Sequence, residues 1–191
     1  MGTNLPSVDL GPGLRAIGVR AGNGSVCANL EGGQVKCWGG NDQGQLGLGD
    51  NLVRGTQPGA LGANLPAVDL GVGLSVVELS AGNDRACARF TAGQVKCWGN
   101  PAAGALGLGD LLARGDQVGE MGASLPFLDF GAASTVVELA SGASHACVRL
   151  NTGRVKCWGF NGNGQLGLGD VQDRGDQPGE MGNALPTLLL E

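Results

Sequence analysis

The sequence predicts an all-β fold built from repeated four-stranded blades, a β-propeller architecture. The 191-residue chain matches itself at a shift of 60 positions with no gap. Each unit holds four short runs rich in Val, Leu, Cys or aromatic residues, bounded by Gly or Asn, as strands are. No window carries the apolar i, i+3, i+4, i+7 spacing of an amphipathic helix. Four strands in a unit of this length suit sheets arranged radially. The 38 Gly have no collagen period and imply many tight turns. A hydrophobic content of 42% argues against disorder.

Leu5-Pro6, Leu65-Pro66, Leu125-Pro126 and Leu185-Pro186 mark the starts of the units. Residues 1–191 therefore read as one repeat domain with units at about 5–64, 65–124 and 125–184. Residues 185–191, "LPTLLLE", begin a fourth unit or form a closing strand. In the middle unit the strands are expected at 65–71, 75–82, 85–90 and 94–99, followed by a Gly-rich loop over 100–124. Three blades fall short of the about four to eight that close a propeller. The expected completion is a homo-oligomer, most simply a C2 dimer with six blades, unless the chain is part of a longer array. Docking of Leu188, Leu189 and Leu190 on a neighbouring blade or chain would contribute roughly 1.5 to 3 kcal/mol per side chain before entropy.

The connection between the third and fourth strands is legible in detail. Its three residues are Glu31-Gly32-Gly33, Thr91-Ala92-Gly93 and Asn151-Thr152-Gly153, with Gly last each time. A three-residue hairpin loop needs its last residue in the left-handed region, which Gly enters freely. Leu30 then faces Gln34 and, counting outward, Cys27 faces Cys37 at a site where Cα atoms lie about 4.5 Å apart. The same count pairs Cys87 with Cys97 and Cys147 with Cys157, leaving no cysteine over. Three cross-strand disulfides and an extracellular or periplasmic origin are the expectation. Buried thiols in a reducing cell are the alternative. Zinc lacks further ligands near each pair. The opening Met-Gly shows no signal peptide.

The runs "VKCWGGNDQGQLGLGD" and "ASGASHACVRLNTGRVKCWGFNGNGQLGLGD" resemble the regulator of chromosome condensation repeat. The resemblance covers essentially the whole chain. The second unit departs from it in "NPAAGALGLGD", with Pro101 and Ala105, and only His145 keeps the family's usual His before the Cys; Ser25 and Arg85 stand there in the other units. The resemblance implies seven-bladed propellers with four-stranded blades. It also implies that Trp38, Trp98 and Trp158 pack between neighbouring blades. The cysteine pairs with the "LGLGD" and "RGDQPGEMG" segments resemble secreted bacterial members more than the nuclear exchange factor.

Net charge is −5 and the 12 Lys and Arg form no basic run, which argues against nucleic acid or an anionic membrane surface as partner. No stretch approaches the roughly 18 to 20 apolar residues of a membrane span. His145, the only histidine, reads as a strand residue, and no catalytic, cofactor or metal residue is assigned. Asp50, Asp110 and Asp170 occur once per unit and are expected to accept backbone N–H bonds in their own loops, with Arg54, Arg114 and Arg174 as partners. Arg114–Asp116 and Arg174–Asp176 spell RGD, which resembles an integrin-recognition tripeptide but also follows from repetition of a turn. The expected function is a non-enzymatic scaffold that binds an unknown protein or ligand through loops 40–64, 100–124 and 160–184. These loops vary most at Asn51-Leu52-Val53, Leu111-Leu112-Ala113 and Val171-Gln172-Asp173. The alternative is a purely self-assembling ring; exchange-factor or enzyme-inhibitor activity rests on family analogy alone.

Overall fold

The structure, a computed structural model, describes residues 6–132 and 134–188. Nine strands form three antiparallel sheets. The first holds β1 (Ala16–Ala21), β2 (Ser25–Leu30) and β3 (Val35–Gly39). The second holds β4 (Val76–Gly82), β5 (Arg85–Phe90) and β6 (Val95–Gly99). The third holds β7 (Val136–Ser141), β8 (His145–Leu150) and β9 (Val155–Gly159). Strand β1 lies beside β4, and β4 beside β7, so the first strands of the sheets line one side of the arc. A bulge interrupts each first pair, at Ala16/Gly18, Val76/Glu78 and Val136/Glu138.

The hairpins follow the register read from their glycines. Cys27 faces Cys37, Cys87 faces Cys97 and Cys147 faces Cys157, and each pair is disulfide-bonded with Cα atoms 4.1 Å apart. Gly33, Gly93 and Gly153 have φ of 82°, 77° and 82°, the left-handed conformation the loop demands.

The expected strand at 65–71 differs. It forms no ladder in its own unit: the Val68 N–H donates to the Val35 carbonyl (2.8 Å), on the last strand of the preceding sheet. Leu128 does the same to Val95 (2.9 Å). A single bond is too little for a ladder, so each sheet has three laddered strands with a fourth segment lent by the next unit. The tail obeys this rule, because Leu188 bridges Val155 of the third sheet in its own chain. Leu189 and Leu190 lie outside the described residues.

The sheets share their cores. One buried cluster joins sheets one and two, with Val35, Cys37 and Leu46 on one side and Leu79, Phe90 and Trp98 on the other. The second cluster repeats it 60 positions on, with Val95, Cys97 and Leu106 against Leu139, Leu150 and Trp158. The indole of Trp98 donates to the Gln45 carbonyl of the preceding unit, and that of Trp158 to Ala105, both at 3.1 Å. Trp158→Ala is expected to cost about 3–5 kcal/mol, the range for a fully buried Trp; Trp38→Ala costs less because Trp38 is partly exposed. Replacing Cys87 and Cys97 together by Ala removes about 2–3 kcal/mol, since the bridge closes a short loop. Urea denaturation measures both, and alkylation without reductant is expected to add no mass.

Candidate functional site

The long loops fold back on the strand that precedes them. Arg54 exchanges two backbone hydrogen bonds with Gly39, the last residue of β3 (2.9 and 3.1 Å), and Arg114 and Arg174 repeat this with Gly99 and Gly159. The side chains close a second ring. Arg54 donates to Asp50 Oδ2 (2.6 Å) and to the Leu52 carbonyl (2.7 Å), while Asp50 Oδ1 accepts the Leu52 N–H (2.9 Å). Asp110 with Arg114, and Asp170 with Arg174, make the same clamp around Leu112 and Gln172. Its chemical product is a rigid turn. The Gln172 N–H, then the Arg174 guanidinium and the Asn161 amide, hold the Asp170 carboxyl below its ordinary range against partial desolvation.

What the clamp presents is apolar. Leu52 and Val53, Leu111 and Leu112, and Val171 are all exposed. They fall in the three variable segments. Clamping removes backbone freedom from a tip whose side chains face water, which lowers the ordering cost of any contact they make.

Beside the tips run two grooves between units, of about 230 and 180 Å³. Gly47, Leu48 and Gly49 of the first unit face Pro66, Asp69 and Met121 of the second; Gly107, Leu108 and Gly109 face Pro126, Asp129 and Met181 in the next. Both are smaller than the about 300–1,000 Å³ of typical small-molecule sites, and fit a single side chain of a partner better.

Three lysines that the sequence pattern does not single out hold the loops from beneath. Lys36, Lys96 and Lys156 are buried in the VKCWG strands. Lys96 Nζ donates to the Leu70 and Gly122 carbonyls (2.8 and 2.7 Å), tying the start of a unit to the end of its loop. Lys36 joins Leu10 to Gly62, and Lys156 joins Phe130 to Gly182. Burial pushes the Lys96 and Lys156 ammonium groups below their ordinary values, opposed by Asp69 and Asp129. The available signal was a charged residue recurring inside an otherwise apolar strand.

At the position of His145 in the other units, Arg85 is buried and Ser25 is buried. Arg85 donates to the carbonyls of His145 and Gly142, and burial lowers its pKa to about 10. Burial, then the Arg85 charge, depresses His145. The RGD tripeptides are built into turns: Arg114 is held by Asp110, Gly115 is buried, and the Gly115 and Gln117 N–H groups donate to Glu120 Oε2 (2.9 and 3.0 Å). Arg174, Gly175, Gln177 and Glu180 repeat this.

Radial sheets with a shared core and clamped, outward loops define a propeller-type repeat scaffold. The Regulator of chromosome condensation (RCC1) repeat matches residues 136–165. The RCC1 domain-containing protein 1 of Homo sapiens is 31% identical over 192 residues, covering 85% of this chain and 49% of the relative. The ultraviolet-B receptor UVR8 of Arabidopsis thaliana is 32% identical over 177 residues, covering 90% and 35%. The chain belongs to the RCC1 repeat family. It spans half or less of the length of these relatives. Among solved structures, Prp20p of Saccharomyces cerevisiae superposes with a TM-score of 0.64 at 19% identity, covering 84% of this chain and 37% of that one. Human WBSCR16 gives 0.64 at 20%, covering 83% and 36%. These likenesses show the fold.

Two outcomes follow for the site. Asp110→Ala leaves the fold intact and raises amide exchange at Leu112, whose N–H loses its acceptor; hydrogen exchange with mass spectrometry reads this. A histidine whose folded pKa lies below its unfolded value resists protonation in the native state, so the unfolded chain binds more protons there. Stability from this source is present above about pH 6.5, the unfolded value, and is lost as pH falls toward the folded one. The urea midpoint is expected to drop between pH 7 and pH 5, and the drop shrinks in His145→Gln.

Proposed function

We propose that this chain is a binding scaffold that docks a partner protein on its clamped loop tips. The observation that carries this reading is the recurrence, once per unit, of exposed apolar side chains on a turn fixed by an Asp–Arg pair: Leu52 and Val53, Leu111 and Leu112, and Val171. Exposed apolar residues held rigidly at the same position of each unit are the features of a protein-interaction surface. The inter-unit grooves beside them would take side chains of the same partner. Variation between units at the tips, on a frame repeated almost residue for residue, is how specificity is added to a scaffold.

The relatives support the general role. Prp20p has binding properties toward Gsp1p and histones. A net charge of −5 with no basic run does not suit a polyanionic surface, so a protein partner is inferred. Three disulfides support work in an oxidising, extracytoplasmic compartment. No helix among the described residues is long and apolar enough to cross a membrane.

The test compares the wild-type chain with a triple variant, Leu52→Ser, Leu112→Ser and Val171→Ser, as immobilised bait in extracellular material of the source, scored by quantitative mass spectrometry. Loss of apolar anchors worth about 1.4 kcal/mol or more together lowers capture of the specific partner at least tenfold. Equal capture by both baits, with unchanged circular dichroism, overturns the loop-tip assignment.

A further inference from the structure

The charge of this chain is not spread evenly. Loops 40–64, 100–124 and 160–184 hold nine Asp and Glu against three Arg, a net charge of −6, while the rest holds eight against nine Lys and Arg. The cations of the loops are Arg54, Arg114 and Arg174, and each is spent on the carboxylate of its own clamp. The apolar tips therefore stand in a negative field that no loop side chain answers.

The middle unit brings tip and charge together. Beside Leu112 lies a hollow of about 280 Å³ lined by Arg114, Asp116, Gln117, Glu120 and Ser124. Arg114 is bonded to Asp110 (2.7 Å), and among the described residues neither Asp116 nor Glu120 has an ion pair. Glu120 Oε2 accepts the Gly115 and Gln117 N–H groups, whereas Asp116 Oδ1 is buried with no hydrogen-bond partner. A carboxylate oxygen without a donor keeps its full capacity for an incoming ammonium or guanidinium, groups that carry donors only. Gln117 also lines the groove of about 230 Å³ between the first two units, so hollow and groove adjoin.

The turn does not require these carboxylates. The first unit has Thr56 and Ala60 where the second has Asp116 and Glu120 and the third Asp176 and Glu180. Yet Gly55, Gly115 and Gly175 have φ of 90°, 91° and 90°, and Arg54 returns to Gly39 as Arg114 does to Gly99. The same backbone forms with and without the acid pair. What the pair changes is the charge presented beside the tip.

We infer that the loop face of units two and three docks a basic segment of a partner protein, with a Lys or Arg side chain in the hollow against Asp116 and Glu120. Apolar neighbours of that side chain pack on Leu111 and Leu112, which are exposed. Lys and Arg suit such a place because their stems are apolar and only their heads are charged. Asp176 and Glu180 offer the same pair beside Val171 in the third unit. Complementary charge of this kind speeds encounter and rejects acidic partners. The inference rests on the loop-tip reading for where the partner sits; the partner's charge is argued from the hollow and the loop composition.

The probe is a fluorescein-labelled peptide of alternating Lys and Leu, titrated with the full chain and read by fluorescence anisotropy; a Glu–Leu peptide of equal length is the control. The hollow variant, Asp116→Thr with Glu120→Ala, installs the residues that the first unit already uses. Asp116→Asn with Glu120→Gln repeats the test if circular dichroism shows that the first variant misfolds. Glu31→Ala with Glu138→Ala removes the same charge from two exposed sites outside the loops. Wild type is expected to bind the Lys–Leu peptide and not the Glu–Leu peptide. The hollow variant is expected to bind about tenfold more weakly, and the Glu31 and Glu138 variant within about twofold of wild type, since distant charges are screened. No binding by wild type, equal binding of both peptides, or a hollow variant as tight as wild type overturns the inference. Equal weakening by both double variants also overturns it, because that reports net charge alone. Displacement of the peptide by micromolar calcium or spermidine overturns a protein partner in favour of a small cation. The triple tip variant separates the two readings: if it binds as wild type does while the hollow variant does not, the loop-tip placement fails and the basic partner stands.

Discussion

Trp98 reaching back to the Gln45 carbonyl, and the cluster of Leu46, Leu79 and Phe90 around it, is the contact on which the rest depends. A three-stranded sheet of five- to seven-residue strands has two faces and no interior. Its apolar side chains leave water only when the next sheet covers them. The clusters lie between sheets, so burial, strand curvature and the placement of loops all follow from how one unit seats on the next.

Within each sheet a cystine and a lysine do complementary work. The cystine ties the two later strands covalently, and in the first two sheets both of its cysteines are buried in the shared core as well as bonded. The lysine directs its ammonium to two carbonyls, one at the head of the unit and one at the end of its loop. A buried charge is tolerable there because carbonyl oxygens replace water, and the Phe127 ring of the third unit also lies 4.7 Å from Lys96 Nζ of the second. The 60-residue unit is thereby closed on itself while its first segment, bonded to the preceding sheet through Val68, stitches it to its neighbour.

On this frame the loops need little else to become rigid. One carboxylate and one guanidinium per unit bind a turn that is already pinned to the strand end, and the tips are left to vary. The RGD runs belong to the same arrangement: Glu120 and Glu180 hold the backbone of those turns, so their arginines serve the clamp.

The amino-acid order alone determined the period, the hairpin register and the cysteine partners, because these rest on local geometry: a Gly in the left-handed region sets which residues face each other ten positions apart. It also marked the Asp–Arg pairs, four residues apart. The destination of 65–71 was beyond it, since Val68 finds its acceptor on another unit's strand and nothing local names that strand. The lysines were missed for the same reason: a cation in an apolar strand reads as surface until two distant carbonyls are seen to converge on it. Tertiary structure likewise decided which of three equivalent tryptophans are covered. Trp38, Trp98 and Trp158 all sit in VKCWG strands, yet Trp98 and Trp158 are buried with their indoles bonded to the Gln45 and Ala105 carbonyls, while Trp38 is partly exposed.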